Sequence, residues 1–184
     1  FAMAFEDEKA NAELTIQEVT ESFQLTSDGS TIRIVCGHGK THGSSSSGES
    51  GCEKVDIVVP AGSEDRPLDL KVLSGNGEVT LDLGNAVLKN LGTNAHGNTD
   101  AILPATKGGT ISLVAEEADD IAVTLPSDFA ADEIILQADE DKISLGKFTD
   151  IQNGQCRGEP GTGLALLKLT SKEFAGSTGK ITLR

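Results

Sequence analysis

Residues 68–83 read LDLKVLSGNGEVTLDL. Apolar side chains alternate with polar ones at Leu68, Leu70 and Val72, and again at Val79, Leu81 and Leu83. Between the two runs stands Ser74-Gly75-Asn76-Gly77, a cluster that reaches positive φ at little steric cost and bends the backbone sharply. A period of two turns one face of each run toward a core and the other toward water. The unit reads as strand, tight turn, strand.

Looser copies follow on both sides. Residues 13–25 keep period two through Leu14, Ile16, Phe23 and Leu25, and after the turn Ser27-Asp28-Gly29-Ser30 the run TIRIVC (31–36) is a further strand. CEKVDIVVP (52–60) places Val55, Ile57 and Val59 on one face. Downstream, Ile111 and Leu113 pair with Ile121, Val123 and Leu125 across an acidic bend, and Ile134, Leu136 and Ala138 pair with Ile143 and Leu145 across another. Units start near Leu68, Val87, Ile111, Ile134 and Leu164, a spacing of roughly 20 to 30 residues that suggests stacked repeats. The expected fold is all-β: a β-solenoid or β-helix-like stack of strand-turn-strand repeats, with an antiparallel β-sandwich as the alternative. Residues 1–12 read as a loose lead-in, 13–184 as a single domain, and the Gly/Ser-rich stretch 37–51 as a flexible loop. The expected core is Leu70, Val72, Val79, Leu81, Ile111, Leu113, Ile121, Val123, Leu136, Leu145, Leu166 and Ile181.

Composition narrows the function classes. With 15 basic against 29 acidic residues the net charge is −14, which argues against nucleic acid and anionic membrane surfaces, since both need clustered Lys and Arg. Six Phe and no Trp or Tyr leave few aromatic platforms for sugars or bases. No apolar run reaches the roughly 18 residues of a membrane-spanning helix. The opening Phe1-Ala2-Met3-Ala4 reads as a cut end, so the lack of a visible signal peptide does not argue for a cytoplasmic home.

No residue set forms a convincing chemical centre. Gly39-Lys40-Thr41 lacks the earlier Gly of a phosphate loop, because Ile34 occupies that position. His38 and His42 lie between Cys36 and Cys52, yet their spacing aligns two imidazoles only on a helix, which a Gly/Ser-rich stretch hardly forms. The bends Glu116-Glu117, Asp119-Asp120 and Asp139-Glu140-Asp141 offer oxygen ligands to Ca²⁺ but not at the spacing of a calcium loop. Ser44 to Ser47 are a low-complexity run, and His96 sits in a Gly-rich turn. No catalytic residue, cofactor or metal ligand is assigned.

The cysteines carry more. Cys36 ends one expected strand and Cys52 begins the next. If those strands form a hairpin, their Cα atoms approach the roughly 5.5 Å of a disulfide, which would stabilise the fold by about 3 kcal/mol in the chain-entropy model. Such a bond implies an oxidising compartment. Cys156 is left as a free or intermolecular thiol; the rival pairings join Cys156 to Cys52 or to Cys36.

One resemblance adds to this reading. Val59, Pro60, Ala61 and Gly62, followed by Leu70, Val72, Ser74, Gly75, Gly77, Glu78, Val79 and Leu81, resemble the motif of a bacterial family of adhesin-like domains of unknown function, Gly-rich, all-β and solenoid-like. Leu125-Pro126 after an alternating strand also fits. Glu78 replaces the usual Asp, and the later units lack the Gly-x-Gly turn. The resemblance implies an exported protein, periplasmic, cell-surface or extracellular, and supplies no catalytic residues. The expectation is a non-enzymatic structural or adhesive module that meets a protein or glycan by shape and strand edges, and that self-associates. The alternative is a carbohydrate-active or metal-dependent enzyme using acidic residues on one sheet face.

Overall fold

The computed structural model describes residues 64, 67–74 and 77–184 with their side chains, and ahead of them the backbone of five strands. Those five are β1 (Ala2–Phe5), β2 (Glu13–Val19), β3 (Phe23–Ser27), β4 (Ile32–Cys36) and β5 (Cys52–Val58). Eleven more follow: β6 (Leu68–Ser74), β7 (Val79–Asp82), β8 (Leu88–Ala95), β9 (Thr99–Ile102), β10 (Thr110–Ala115), β11 (Ile121–Thr124), β12 (Ala131–Gln137), β13 (Ile143–Ser144), β14 (Gln155–Arg157), β15 (Leu166–Ser171) and β16 (Ile181–Leu183). The helical element among the described residues is one 3₁₀ turn, Glu140–Lys142.

The two arms of residues 68–83 do not pair with each other. Strand β6 joins a nine-stranded sheet in the order β14-β12-β15-β10-β8-β6-β1-β4-β3, and β7 joins a five-stranded sheet in the order β13-β16-β11-β9-β7. Strands β6, β8, β10, β15 and β12 run parallel, as do all five of the smaller sheet. Each later unit likewise sends its first arm to the large sheet and its second to the small one.

This corrects the expected fold. An antiparallel sandwich is overturned by the parallel pairing of both sheets. A uniform solenoid stack is overturned because β1, β4, β3 and β14 pair antiparallel and the units are not stacked in chain order. Two mostly parallel sheets take the place of both. Parallel sheets ordinarily rely on crossover helices that cover both faces; here the opposite sheet's strand makes the crossover, so each strand buries one face only.

The register produces ladders of aliphatic side chains. Leu70, Leu91, Ile111, Leu167 and Ile134 lie side by side across the large sheet, with Val72, Thr93, Leu113, Leu169 and Leu136 as the next row. Facing them are Val79, Thr99, Ile121, Ile181 and Ile143, then Leu81, Ala101, Val123 and Leu183. Ile111, Leu113, Ile121, Ile134, Leu167, Leu169 and Ile181 are fully enclosed, each contributing about 1.5–3 kcal/mol of burial. Ten of the twelve expected core residues are buried. The corrections are Leu145, which is half-buried, and Leu166, which faces outward because β15 turns Leu167 and Leu169 inward.

The chain order of the last two units is inverted. After β11 the chain passes over one position to lay down β12 and β13 at the far end. It returns through β14, and only then places β15 between β10 and β12, and β16 between β11 and β13. The C-terminal segment is therefore interior to both sheets.

Two sequence expectations concern the N-terminal part. Ala2–Phe5, inside the stretch read as a loose lead-in, is a strand paired with β4 and β6. The stretch 37–51, expected as a flexible loop, lies outside the described residues.

Candidate functional site: the outer face of the large sheet

Gly92 stands at the centre of strand β8 with its position turned outward, between inward-facing Leu91 and Thr93. A Cβ built there would meet nothing within 4 Å. The missing side chain leaves a groove of about 330 Å³ across β6, β8 and β10, walled by Asp69, Lys71, Leu73, Asn90, Asn94 and Ser112. Glycine inside a strand ordinarily marks a bulge or the close approach of another group; β8 carries no bulge at Gly92, whose register with Lys71 and Ser112 is continuous.

The walls differ in how far they are committed. The Asn90 amide donates to Asp69 Oδ1 while its oxygen accepts the Thr110 N–H at 3.0 Å, which fixes one side of the groove. Asn94 and Lys71 are exposed, Ser112 is half-buried, and Leu73 is 40% exposed beside them. Amide, hydroxyl and ammonium donors thus border a small apolar patch, the mixture by which concave sites orient polar ligands. Sequence patterning overlooked these residues. The available signal was the glycine interior to NLGTN (90–94).

A second depression, about 430 Å³, lies on the outer face of the small sheet and carries Glu78, Asp100, Asp120, Lys180 and Arg184. Its charges are largely spent within the protein. Arg184 pairs with Asp100 at 3.2 Å, and Asp120 Oδ1 accepts the Lys180 N–H at 2.6 Å.

The acidic bends have a structural use. Asp119 Oδ2 accepts the Gly97 N–H at 2.6 Å, and Asp139 Oδ2 accepts the Thr178 N–H at 3.0 Å. Each carboxylate closes a backbone group of a neighbouring unit's bend, where a corner leaves N–H groups without a sheet partner. The Thr178 N–H holds the Asp139 carboxyl below its ordinary value. Lys172, whose Nζ lies 2.6 Å from Glu116 Oε1, does the same for Glu116. Among the described residues no group of three or more His, Cys, Asp or Glu is disposed to hold a metal ion.

The remaining sequence candidates scatter. His96 Nδ1 lies 3.6 Å from Glu117 Oε1 in the bends. Cys156 is a free, exposed thiol on β14, donating to the Gly158 carbonyl at 3.4 Å. His38, His42, Gly39-Lys40-Thr41 and Ser44 to Ser47 lie outside the described residues. For Cys36 and Cys52 the backbone alone is described, and it removes the hairpin premise. Cys36 lies opposite Phe23 on β3, whereas Cys52 lies opposite Val19 on β2.

No helix among the described residues is long and apolar enough to cross a membrane. Comparison with family models, with curated proteins and with solved structures finds no match for this chain.

Proposed function

We propose that this protein is an exported, non-enzymatic surface module that binds a glycan or protein through the groove over Gly92. The observation that carries the reading is the groove itself: an open, rigid-floored depression bordered by the polar side chains of Asn94, Ser112 and Lys71. Its floor is the parallel sheet, with Leu91 and Leu113 locked in the core beneath it, so binding there costs little ordering. An exterior location is supported by the resemblance of residues 59–81 to adhesin-like domains. Asp100 and Asp120 of the small sheet are engaged by Arg184 and by the Lys180 backbone, which favours the binding reading over the acidic-face enzyme.

Gly92 supplies the test. Because a side chain there meets open space, Gly92→Arg fills the groove without disturbing the fold. The full chain and G92R are titrated on arrays of neutral and acidic glycans and of immobilised extracellular proteins. Saturable binding by the wild type, at least tenfold weaker in G92R with an unchanged Tm, is the expected result. Equal binding by the two proteins, or no saturable binding by the wild type, contradicts the proposal. Release of reducing ends from a bound polysaccharide would establish the enzyme instead.

A further inference from the structure

Arg157 and Leu164 both lie opposite Ala131, on the two sides of strand β12. The linker 158–163, GEPGTG, must therefore carry the chain around the start of β12. It does so at very close quarters: a Cβ on Gly158 would lie 2.8 Å from the Ala130 Cβ, and one on Gly163 would lie 2.0 Å from the Ala130 oxygen. Beyond this crossing, residues 164–183 fill a slot that the rest of the chain leaves open between β10 and β12 and between β11 and β13.

We propose that the partner this slot also fits is a second copy of the chain, whose C-terminal segment inserts in place of the resident one to give a segment-exchanged dimer. Every hydrogen bond of β15 and β16 to their flanking strands forms identically whether the segment comes from its own chain or another. The choice then rests on the tether, which sets only an effective concentration in the millimolar range, and on the cost of threading it past Ala130. The slot also precedes its occupant in synthesis, since residues 110–145 emerge before residues 164–183. Exchange of an identical element is a low-cost route to a closed dimer. This inference stands apart from the groove over Gly92, which lies across β6, β8 and β10.

The test shortens the tether. Arg157 and Leu164 are separated by about 10 Å, two interstrand spacings. Deleting residues 159–163 leaves Gly158 alone between them, and its two backbone steps span at most about 7 Å. The shortened full chain cannot fill its own slot but can fill a neighbour's. Size-exclusion chromatography with light scattering should show it as a dimer with the wild-type circular dichroism spectrum, and a monomer with that spectrum overturns the proposal. If the deletion variant does not fold, the wild type decides. Refolding from urea at about tenfold higher protein concentration should raise a dimer fraction that persists on dilution. A dimer in neither experiment overturns the proposal. So does a dimer that appears equally when native monomer is merely concentrated, because that identifies ordinary surface association.

Discussion

Gly163 lies against the carbonyl of Ala130, so close that a Cβ would come within 2.0 Å of the oxygen that accepts the Leu164 N–H at 3.0 Å. Two connections cross at this point, one running out to the last unit and one running back from it. The crossing exists because the last segment of the chain is not the last layer of the structure.

Gly163→Ala should therefore be costly, at about 2–3 kcal/mol by urea unfolding, since the neighbour that must move is backbone rather than a flexible side chain. Gly92→Ala is its control: the added methyl meets open space, and stability should not fall.

Two core positions carry hydroxyls where their neighbours in register are aliphatic. Thr93 stands between Val72 and Leu113, and Thr99 between Val79 and Ile121. Both are buried, and neither Oγ1 has a hydrogen-bond partner among the described residues. Thr93→Val and Thr99→Val should each stabilise the protein by about 1 kcal/mol, the desolvation of an unpaired hydroxyl being removed at nearly constant shape. A loss of thermal stability in both would show that the hydroxyls are satisfied.

The phase of β15 is open to direct check. Leu167→Ala should cost about 2–5 kcal/mol in denaturant unfolding, through lost burial and a cavity. Leu166→Ala, on the outer face, should cost under about 1 kcal/mol. The reverse order would shift the strand by one residue.

The ion pair of Glu116 and Lys172 fixes a pH dependence. Lys172 holds the Glu116 carboxyl below its ordinary value, so the pair's stabilisation is complete above the usual glutamate range and is lost as the pH falls through the lowered value. With Lys172 half exposed, the effect is modest. Lys172→Met should lower stability by about 0.5–1 kcal/mol at pH 7, and the difference should vanish near pH 2 and shrink in molar salt. A difference that persists unchanged in acid would assign it to packing of the lysine stem.

Residues 68–83 show how far the sequence could be read. Their alternation marks two strands that each bury one face, and Leu70, Val72, Val79 and Leu81 are indeed inside. Alternation does not say which strand pairs with which. A hairpin and a corner between two parallel sheets both bury one face of each arm and both need a bend, so the period is identical. Pairing is set by the register of residues some 20 positions apart, such as Leu70 with Leu91, and no local signal carries that. The inverted order of the last units was hidden for the same reason. In β15 the adjacent Leu166 and Leu167 leave either phase open, and packing against Ile111 and Ile134 decides it. The groove was invisible because it is made by an absent side chain, at Gly92, and by Asp69, Asn94 and Ser112 brought beside it from two other stretches of chain or from along the same strand. The acidic bends were legible as turns, but their carboxylates could not be seen to close the N–H groups of Gly97, Lys180 and Thr178.

Native-state hydrogen exchange, read by mass spectrometry of peptides, tests the central architectural claim that the C-terminal segment completes both sheets from within. A chain terminus docked at an edge frays and exchanges by local opening. Strand β15, flanked in parallel by β10 and β12, cannot open without breaking the large sheet. The amides of Leu167 and Leu169 should therefore exchange as slowly as those of Ile111 and Leu113, only through global unfolding. Exchange of residues 166–171 at least a hundredfold faster than that of 110–115 would place the segment at an edge and contradict the account.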